Sequence, residues 1–271
     1  MAEKFEYYDP KTVKELCKTL DEVGSKTKIL AGGTDLIVEM RAGIKKPAGV
    51  IDVKKIKELK GIDFDAKKGL RIGSCVTCNE LGRNPVIEKK YSILAECAES
   101  IASYALRNRA TIAGNLCNAS PCADMAPGLL VLGALITIVS SSGEKTIKLS
   151  DFFTGVKKTV LQPNEFVKEI IIPAEKANSK CKYMKQKRIK GHDLSMVSVA
   201  MAVKDKITVA IGSAYITPVV LPEFAKSTKV EKIIEAALSV VKPITDIRSS
   251  KEYRLHIIGV YIKRLYEQLV K

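Results

Sequence analysis

The 271-residue chain has no tryptophan, only 6% aromatic residues and just two histidines. With no tryptophan, no RNP-like aromatic motif and no zinc-finger spacing, it offers nucleic-acid bases no stacking platform. No apolar run is long enough to span a bilayer. The opening MAEKFEYYDP lacks the basic segment, apolar core and small-residue cleavage site of a secretory signal. A cytoplasmic location is therefore expected. Acidic residues are also scarce, 30 Asp and Glu against 45 Lys and Arg, for a formal charge of +15. The lysines are scattered, so the excess reads as a solvated surface with a patch for docking a partner. Seven cysteines, an odd number, argue for thiols over a disulfide framework.

What is present is globular: 46% hydrophobic and 28% charged residues, in a chain long enough for two or more substructures. Asp9 and Pro10 read as the N-cap and first-turn pair of a helix carrying Val13, Leu16, Cys17 and Leu20 on one face, with Gly24 ending it. The strand TKILAG, a glycine turn, a short helix to about Met40 and the strand AGVIDV follow, so the first fifty-odd residues form a small α/β unit. GLRIGSCVT is a further strand, and Val86 to Leu106 has helical spacing. Ser120 and Pro121 read as an N-cap and N1 pair before an apolar helix, then a strand ending in SSSG. After the strand EFVKEIIIP, the polar EKANSKCK marks a boundary near residue 176. Beyond it, three strands and two helices suggest a separate small domain. Its last helix is expected to open with a capping box, Ser249 and Glu252, and to place Leu255, Ile258, Ile262, Leu265 and Leu269 on one stripe.

Two glycine loops carry the chemistry. AGGTDL, taken alone, reads first as an ordinary tight turn, since short glycine motifs recur by chance. A second loop, TIAGNLCNASPCAD, leads into a helix in the same predicted domain. Together they offer an extended anion such as a pyrophosphate many backbone N–H donors. That is compatible with a dinucleotide, though neither loop is GxGxxG and the Rossmann route is absent.

The pair AGGTDL and RATIAGNLCNASPCADMAP, with the later KQKRIKGHDLSMVSVA, resembles the FAD-binding medium subunit of molybdenum hydroxylases. These include xanthine dehydrogenase, aldehyde oxidoreductase, aerobic carbon monoxide dehydrogenase and hydroxybenzoyl-CoA reductase relatives. The resemblance implies an α+β chain: a two-subdomain FAD-binding fold of the vanillyl-alcohol oxidase and MurB (PCMH) type over residues 1–176, divided at about residue 55. A small C-terminal α/β domain, like that of carbon monoxide dehydrogenase flavoproteins, would occupy 177–271. It further implies that Ile29, Leu30, Ala31, Gly32, Gly33, Thr34, Asp35 and Leu36 wrap the FAD pyrophosphate. Thr111, Ile112, Ala113, Gly114 and Asn115 would lie along pyrophosphate and ribityl, with Asp124 bonding the nucleotide and Ile101 packing nearby. Val167 matches an aliphatic position beside the cofactor, Lys185 a basic residue near the flavin ring, and Asn118 and Ser120 polar contacts. The implied partners are a large molybdopterin subunit, a small [2Fe–2S] subunit and an acceptor: NAD, ferredoxin, quinone or oxygen.

Each residue also has a plainer role: turn glycines, capping asparagines, a helix-cap Ser120, core Ile101 and Val167, and surface charge for Lys185. Cys75 and Cys78 form C-x-x-C, and Cys117 and Cys122 are five apart. A plant-type ferredoxin loop would need a cysteine where Met125 stands, so packing thiols are expected. His192 and His256 read as solvated or capping side chains and give little support to a covalent flavin link. A free-standing MurB-like flavin reductase or oxidase is the competing reading, and a flavin-free assembly subunit the non-enzymatic one.

Overall fold

The computed structural model describes residues 4–271. Strand β1 (Glu6–Tyr8), helix α1 (Val13–Val23), β2 (Thr27–Leu30), α2 (Leu36–Arg41) and β3 (Gly49–Asp52) form the first unit. Its sheet, in the order β1-β3-β2, is parallel throughout. Parallel strands need crossover connections, which the two helices supply. Leu16, Cys17 and Leu20 of α1 are buried, as their spacing predicts. The cap is Thr12 and not Asp9: the Thr12 hydroxyl accepts from the Glu15 amide at 3.1 Å. The Asp9 carboxylate is engaged instead by Lys11 and Lys55.

Next come β4 (Ile62–Asp65) and β5 (Gly69–Gly73), then short helices α3 (Cys78–Gly82), α4 (Pro85–Lys90), α5 (Ser92–Glu99), α6 (Tyr104–Arg107), α7 (Ile112–Cys117) and α8 (Met125–Val131). Strands β6 (Leu135–Ser140) and β7 (Gly143–Lys148), the ribbon β8 (Phe153–Gly155) and β9 (Lys158–Thr159), and β10 (Phe166–Ile172) complete the second unit. Its antiparallel sheet has the order β4-β5-β10-β6-β7. The helical stretch expected over 86–106 is broken at Tyr91 and again near Ala102, whose φ is 35°. Nor do Ser120 and Pro121 start a helix. The Ser120 carbonyl accepts from the Ala123 amide at 3.0 Å, which puts Pro121 in the second position of a tight turn, where its fixed φ also fits. Helix α8 begins at Met125, whose amide donates to Asn115 Oδ1 at 3.3 Å.

The last unit comprises β11 (Lys180–Gln186), β12 (Val197–Val203), β13 (Lys206–Gly212), β14 (Val219–Val220), β15 (Phe224–Ala225), α9 (Val230–Val240) and α10 (Lys251–Leu269). Its sheet is antiparallel, ordered β11-β12-β13-β14. Side chains of a strand alternate between faces, and here they alternate in size. Val197, Val199, Met201, Val203, Val209 and Ile211 pack on the two C-terminal helices. Ala200, Ala202 and Ala210 face the other way, into the core that holds α5 and α8. The unit is thus less separate than the sequence suggests, because its small-residue face completes its neighbour's core. Helix α10 is capped by Ser250, one residue beyond the expected Ser249, through the Tyr253 amide at 3.2 Å. Ile258, Ile262 and Leu265 are buried, while Leu255 and Leu269 are partly so.

Arg254 is buried in the same helix at 1% exposure. Its guanidinium donates to the carbonyls of Met196 and Ser213 and, at 2.8 Å, to Asp246, which also receives Arg248 at 2.6 Å. Burial pulls the Asp246 carboxyl up, but its hydrogen bonds to Arg248 and the charges of Arg254 and Arg248 hold it well below the usual carboxylate range. A depressed carboxylate stabilises the fold above its unfolded pKa and loses that contribution as pH falls. Arg254→Leu should therefore cost about 3 kcal/mol by denaturant melting, and its further loss of stability below about pH 4 should be smaller than in the parent.

Candidate functional site

A cleft of about 1030 Å³ runs between the units, lined from Leu20 and Thr27 of the first to Lys185 of the last. This is at the upper end of small-molecule sites. Both glycine loops form its walls, and the local geometry explains their bareness. A Cβ on Gly32 would lie 2.1 Å from the Arg109 carbonyl oxygen, so the two loops meet backbone to backbone. Gly33 has φ +75°, and a Cβ there would also press on Leu30. The second loop turns into α7 at Thr111, whose hydroxyl accepts from the Gly114 amide at 3.1 Å. The Ile112 amide is spent on the Val76 carbonyl, so this loop has fewer amides to offer than its sequence implies.

A polar chain ties the loops together across the rim. Asn118 Nδ2 donates to Asp35 Oδ1 at 2.9 Å, and Lys157 Nζ donates to Asn118 Oδ1 at 2.6 Å. Lys157 also lies 3.7 Å from Glu39, which pairs with Lys45 at 2.6 Å. The hydrogen bonds to Lys45 hold the Glu39 carboxyl below its ordinary range. Two non-glycine residues sit at positive φ here, Ala119 at 45° and Lys157 at 58°, joined by the Lys157 amide donating to the Ala119 carbonyl at 2.9 Å. Such strain persists only where surrounding contacts enforce it.

On the side of the third sheet the wall is charged but internally paired. Lys185 Nζ donates to Asp124 Oδ2 at 2.7 Å and to the Ser100 carbonyl at 3.1 Å. The Tyr183 hydroxyl donates to the other Asp124 oxygen at 2.8 Å. Burial pushes the Asp124 carboxyl up, against the pull of Lys185. Lys185 is 6% exposed at its side chain, which removes the surface-charge reading.

Ile29, Ala31, Gly32, Gly33, Thr34, Asp35, Leu36, Ile101, Thr111, Ala113, Gly114, Asn115, Asn118, Ser120, Asp124, Val167 and Lys185 all line the cleft. Leu30 and Ile112 do not; Ile112 is fully buried in the central core. Asn115 and Ser120 also serve the fold, Asn115 by capping α8 and Ser120 by accepting from the Cys122 amide at 3.2 Å. The sequence reading missed Lys157, Glu39 and Tyr183, none of which stands in a motif. His192 lies in the lining as well. The C-x-x-C thiols part company: Cys75 belongs to the core under the first sheet and Cys78 to the central core. Burial pushes them up to about 11 and about 12. Among the described residues, no three His, Cys, Asp or Glu side chains gather to hold a metal ion.

Residues 3–175 match the family described as the FAD binding domain in molybdopterin dehydrogenase. The chain belongs to this family. It is 30% identical to the carbon monoxide dehydrogenase medium chain of Hydrogenophaga pseudoflava, over 96% of this chain and 95% of that one. It is 28% identical to a putative xanthine dehydrogenase FAD-binding subunit of Escherichia coli, over 90% and 89%. A solved carbon monoxide dehydrogenase from Hydrogenophaga pseudoflava superposes with a TM-score of 0.92 at 28% identity, covering 99% of this chain and 98% of that one. The α+β fold is thus that of an FAD-binding flavoprotein, an oxidoreductase subunit, and the cleft fits the cofactor: its volume suits a large ligand and its glycine wall carries no side chains. No helix among the described residues is long and apolar enough to cross a membrane.

Gly32→Ala must separate the two loops, because the Arg109 carbonyl is backbone and cannot swing aside. FAD affinity should fall tenfold or more, equivalent to about 1.4 kcal/mol, as read by the flavin-to-protein absorbance ratio after gel filtration. Unchanged retention would show that the loop contact does not shape the cofactor wall.

Proposed function

We propose that the chain is the FAD-binding subunit of a molybdenum hydroxylase complex and passes electrons from the [2Fe–2S] clusters of a partner through FAD to an external acceptor such as NAD. The observation that carries this reading is the single cleft walled by both glycine loops and closed by the Asp124–Lys185 pair. The relatives' names fit it, since they are medium chains and FAD-binding subunits of dehydrogenases. In this reading residues 1–176 form the FAD-binding part and 177–271 the C-terminal domain.

Bound FAD supplies the exchange of single electrons and electron pairs. The chain's own residues bind and orient it. Backbone from Ala31 to Leu36 takes the pyrophosphate beside the Thr111 loop, whose Ile112, Gly114 and Asn115 amides are bonded within the fold, and the rim chain from Asp35 through Asn118 to Lys157 holds those loops in register. Lys185 is a poor source of free positive charge, because Asp124 offsets its field at 2.7 Å. The pair instead presents fixed hydrogen-bonding groups at the cleft wall, with Tyr183 behind it.

The FAD-loaded chain alone should be reducible by artificial donors and show no turnover with purines, aldehydes, carbon monoxide or aromatic substrates. Adding the matching molybdenum and iron–sulfur chains should restore substrate-dependent bleaching of the flavin near its visible absorbance maximum. Turnover by the purified chain alone would instead favour a free-standing MurB-like flavoenzyme.

A further inference from the structure

Arg107 ends α6 and does not itself line the FAD cleft, yet it holds residues that do. Its Nη1 donates to the carbonyls of Glu99 at 3.1 Å, Ile101 at 2.8 Å and Ala102 at 3.1 Å. Ile101 and Ala102 both line the cleft. Ala102 is held at φ 35°, a conformation that persists in a residue with a Cβ only where its surroundings enforce it. In the same turn the Ser100 carbonyl accepts from Lys185 Nζ at 3.1 Å. One guanidinium thus fixes a turn that supplies both a stretch of cleft wall and an acceptor for Lys185.

The grip is itself braced. Arg107 Nε donates to Asn79 Oδ1 at 3.2 Å, and the buried Asn79 gives its Nδ2 to the Tyr104 carbonyl at 2.9 Å and to Asn108 Oδ1 at 2.7 Å. Helix α3 and both ends of α6 therefore set the plane of the guanidinium. All of these partners are neutral oxygens. Among the described residues no carboxylate pairs with Arg107, whereas Asp124 offsets Lys185 at 2.7 Å. The charge is felt inside the protein: burial pushes the Cys78 thiol up, and Arg107 is the strongest influence pulling it back down. A plainer role is to cap α5, since a cation near a helix C-terminus is favourable. That accounts for the bond to Glu99, the last residue of α5, but not for those to Ile101 and Ala102, which lie beyond the helix.

We propose that Arg107 is a positioning residue that sets the reduction potential of the bound flavin: it fixes the wall formed by Ile101 and Ala102 and places an uncompensated positive charge behind it. The inference rests on the functional reading above, with the flavin ring at the Lys185 end of the cleft. Reduction makes a flavin ring more negative, so a fixed positive charge behind that wall favours the reduced form. Lys185, neutralised by Asp124, leaves this task to Arg107.

The test uses the full FAD-loaded chain, titrated against a reference redox dye. Arg107→Gln keeps an amide donor for the carbonyls but removes the charge, and should shift the flavin–dye equilibrium about tenfold toward oxidised flavin. Arg107→Lys keeps the charge and should recover most of the parent value, although it loses the fork that reaches several acceptors at once. A residue that merely capped α5 would lower the melting temperature in both variants and leave the dye equilibrium at the parent value, which would overturn the proposal. Loss of FAD from both variants would also overturn it, by making Arg107 a support for the whole cleft. The double exchange Lys185→Gln with Asp124→Asn tests the placement of the ring separately and should move the flavin absorption bands. Unmoved bands would overturn that placement and the proposal with it. Moved bands together with a parent-like equilibrium in Arg107→Gln would overturn the proposal alone.

Discussion

The contact between Gly32 and the Arg109 carbonyl is the constraint on which the site depends. Two loops about eighty residues apart in sequence touch through backbone, with no space for even a methyl group between them. A cofactor phosphate needs peptide N–H groups within hydrogen-bond reach, and side chains at the junction would hold the loops apart. Bare backbone lets the parallel sheet of the first unit and the helices of the second share one wall. The shared core of Leu16, Leu20, Ile51, Val139 and Phe166 then fixes the two units against each other.

Everything around that contact limits how the loops can move. The Asp35, Asn118 and Lys157 hydrogen bonds close the rim, at the cost of two residues held in a left-handed backbone conformation. The third sheet reaches the cleft through β11, whose Tyr183 and Lys185 both end on Asp124. Removing either partner would leave a buried carboxylate short of a donor, which low-dielectric surroundings penalise. The site is therefore a three-unit construction, and the small-residue face of β12 and β13 brings the third unit close enough to take part.

The misplaced helix ends share one cause. Asp9, Ser120 and Ser249 each have the right chemistry for a cap, but so do Thr12, Asp124 and Ser250 nearby, and local sequence does not rank such neighbours. Competing contacts settled the choice: ion pairs claimed Asp9, a tight turn claimed Ser120, and Asn115 supplied the hydrogen bond that α8 needed. Lys185 shows the same limit. Its surroundings in the sequence are lysine-rich and read as surface, yet strand pairing with β12 carries it inward to a carboxylate sixty-one residues away.

By itself the sequence determined much of the alternation of elements, the buried faces of α1 and of α10, and the identity of the two glycine loops. These follow from periodicity and from residue types with few conformational substitutes. The AGGTDL and TIAGN loops were also enough to carry the family resemblance and with it the FAD cofactor. Only the tertiary structure decided which side chains in those loops face the cleft and which, like Leu30 and Ile112, do not line it. It alone paired Asp124 with Lys185 and Tyr183, joined Asn118 to Lys157, and sent Cys75 and Cys78 into different cores. Those are long-range contacts, set by how whole units pack, and no local periodicity encodes them.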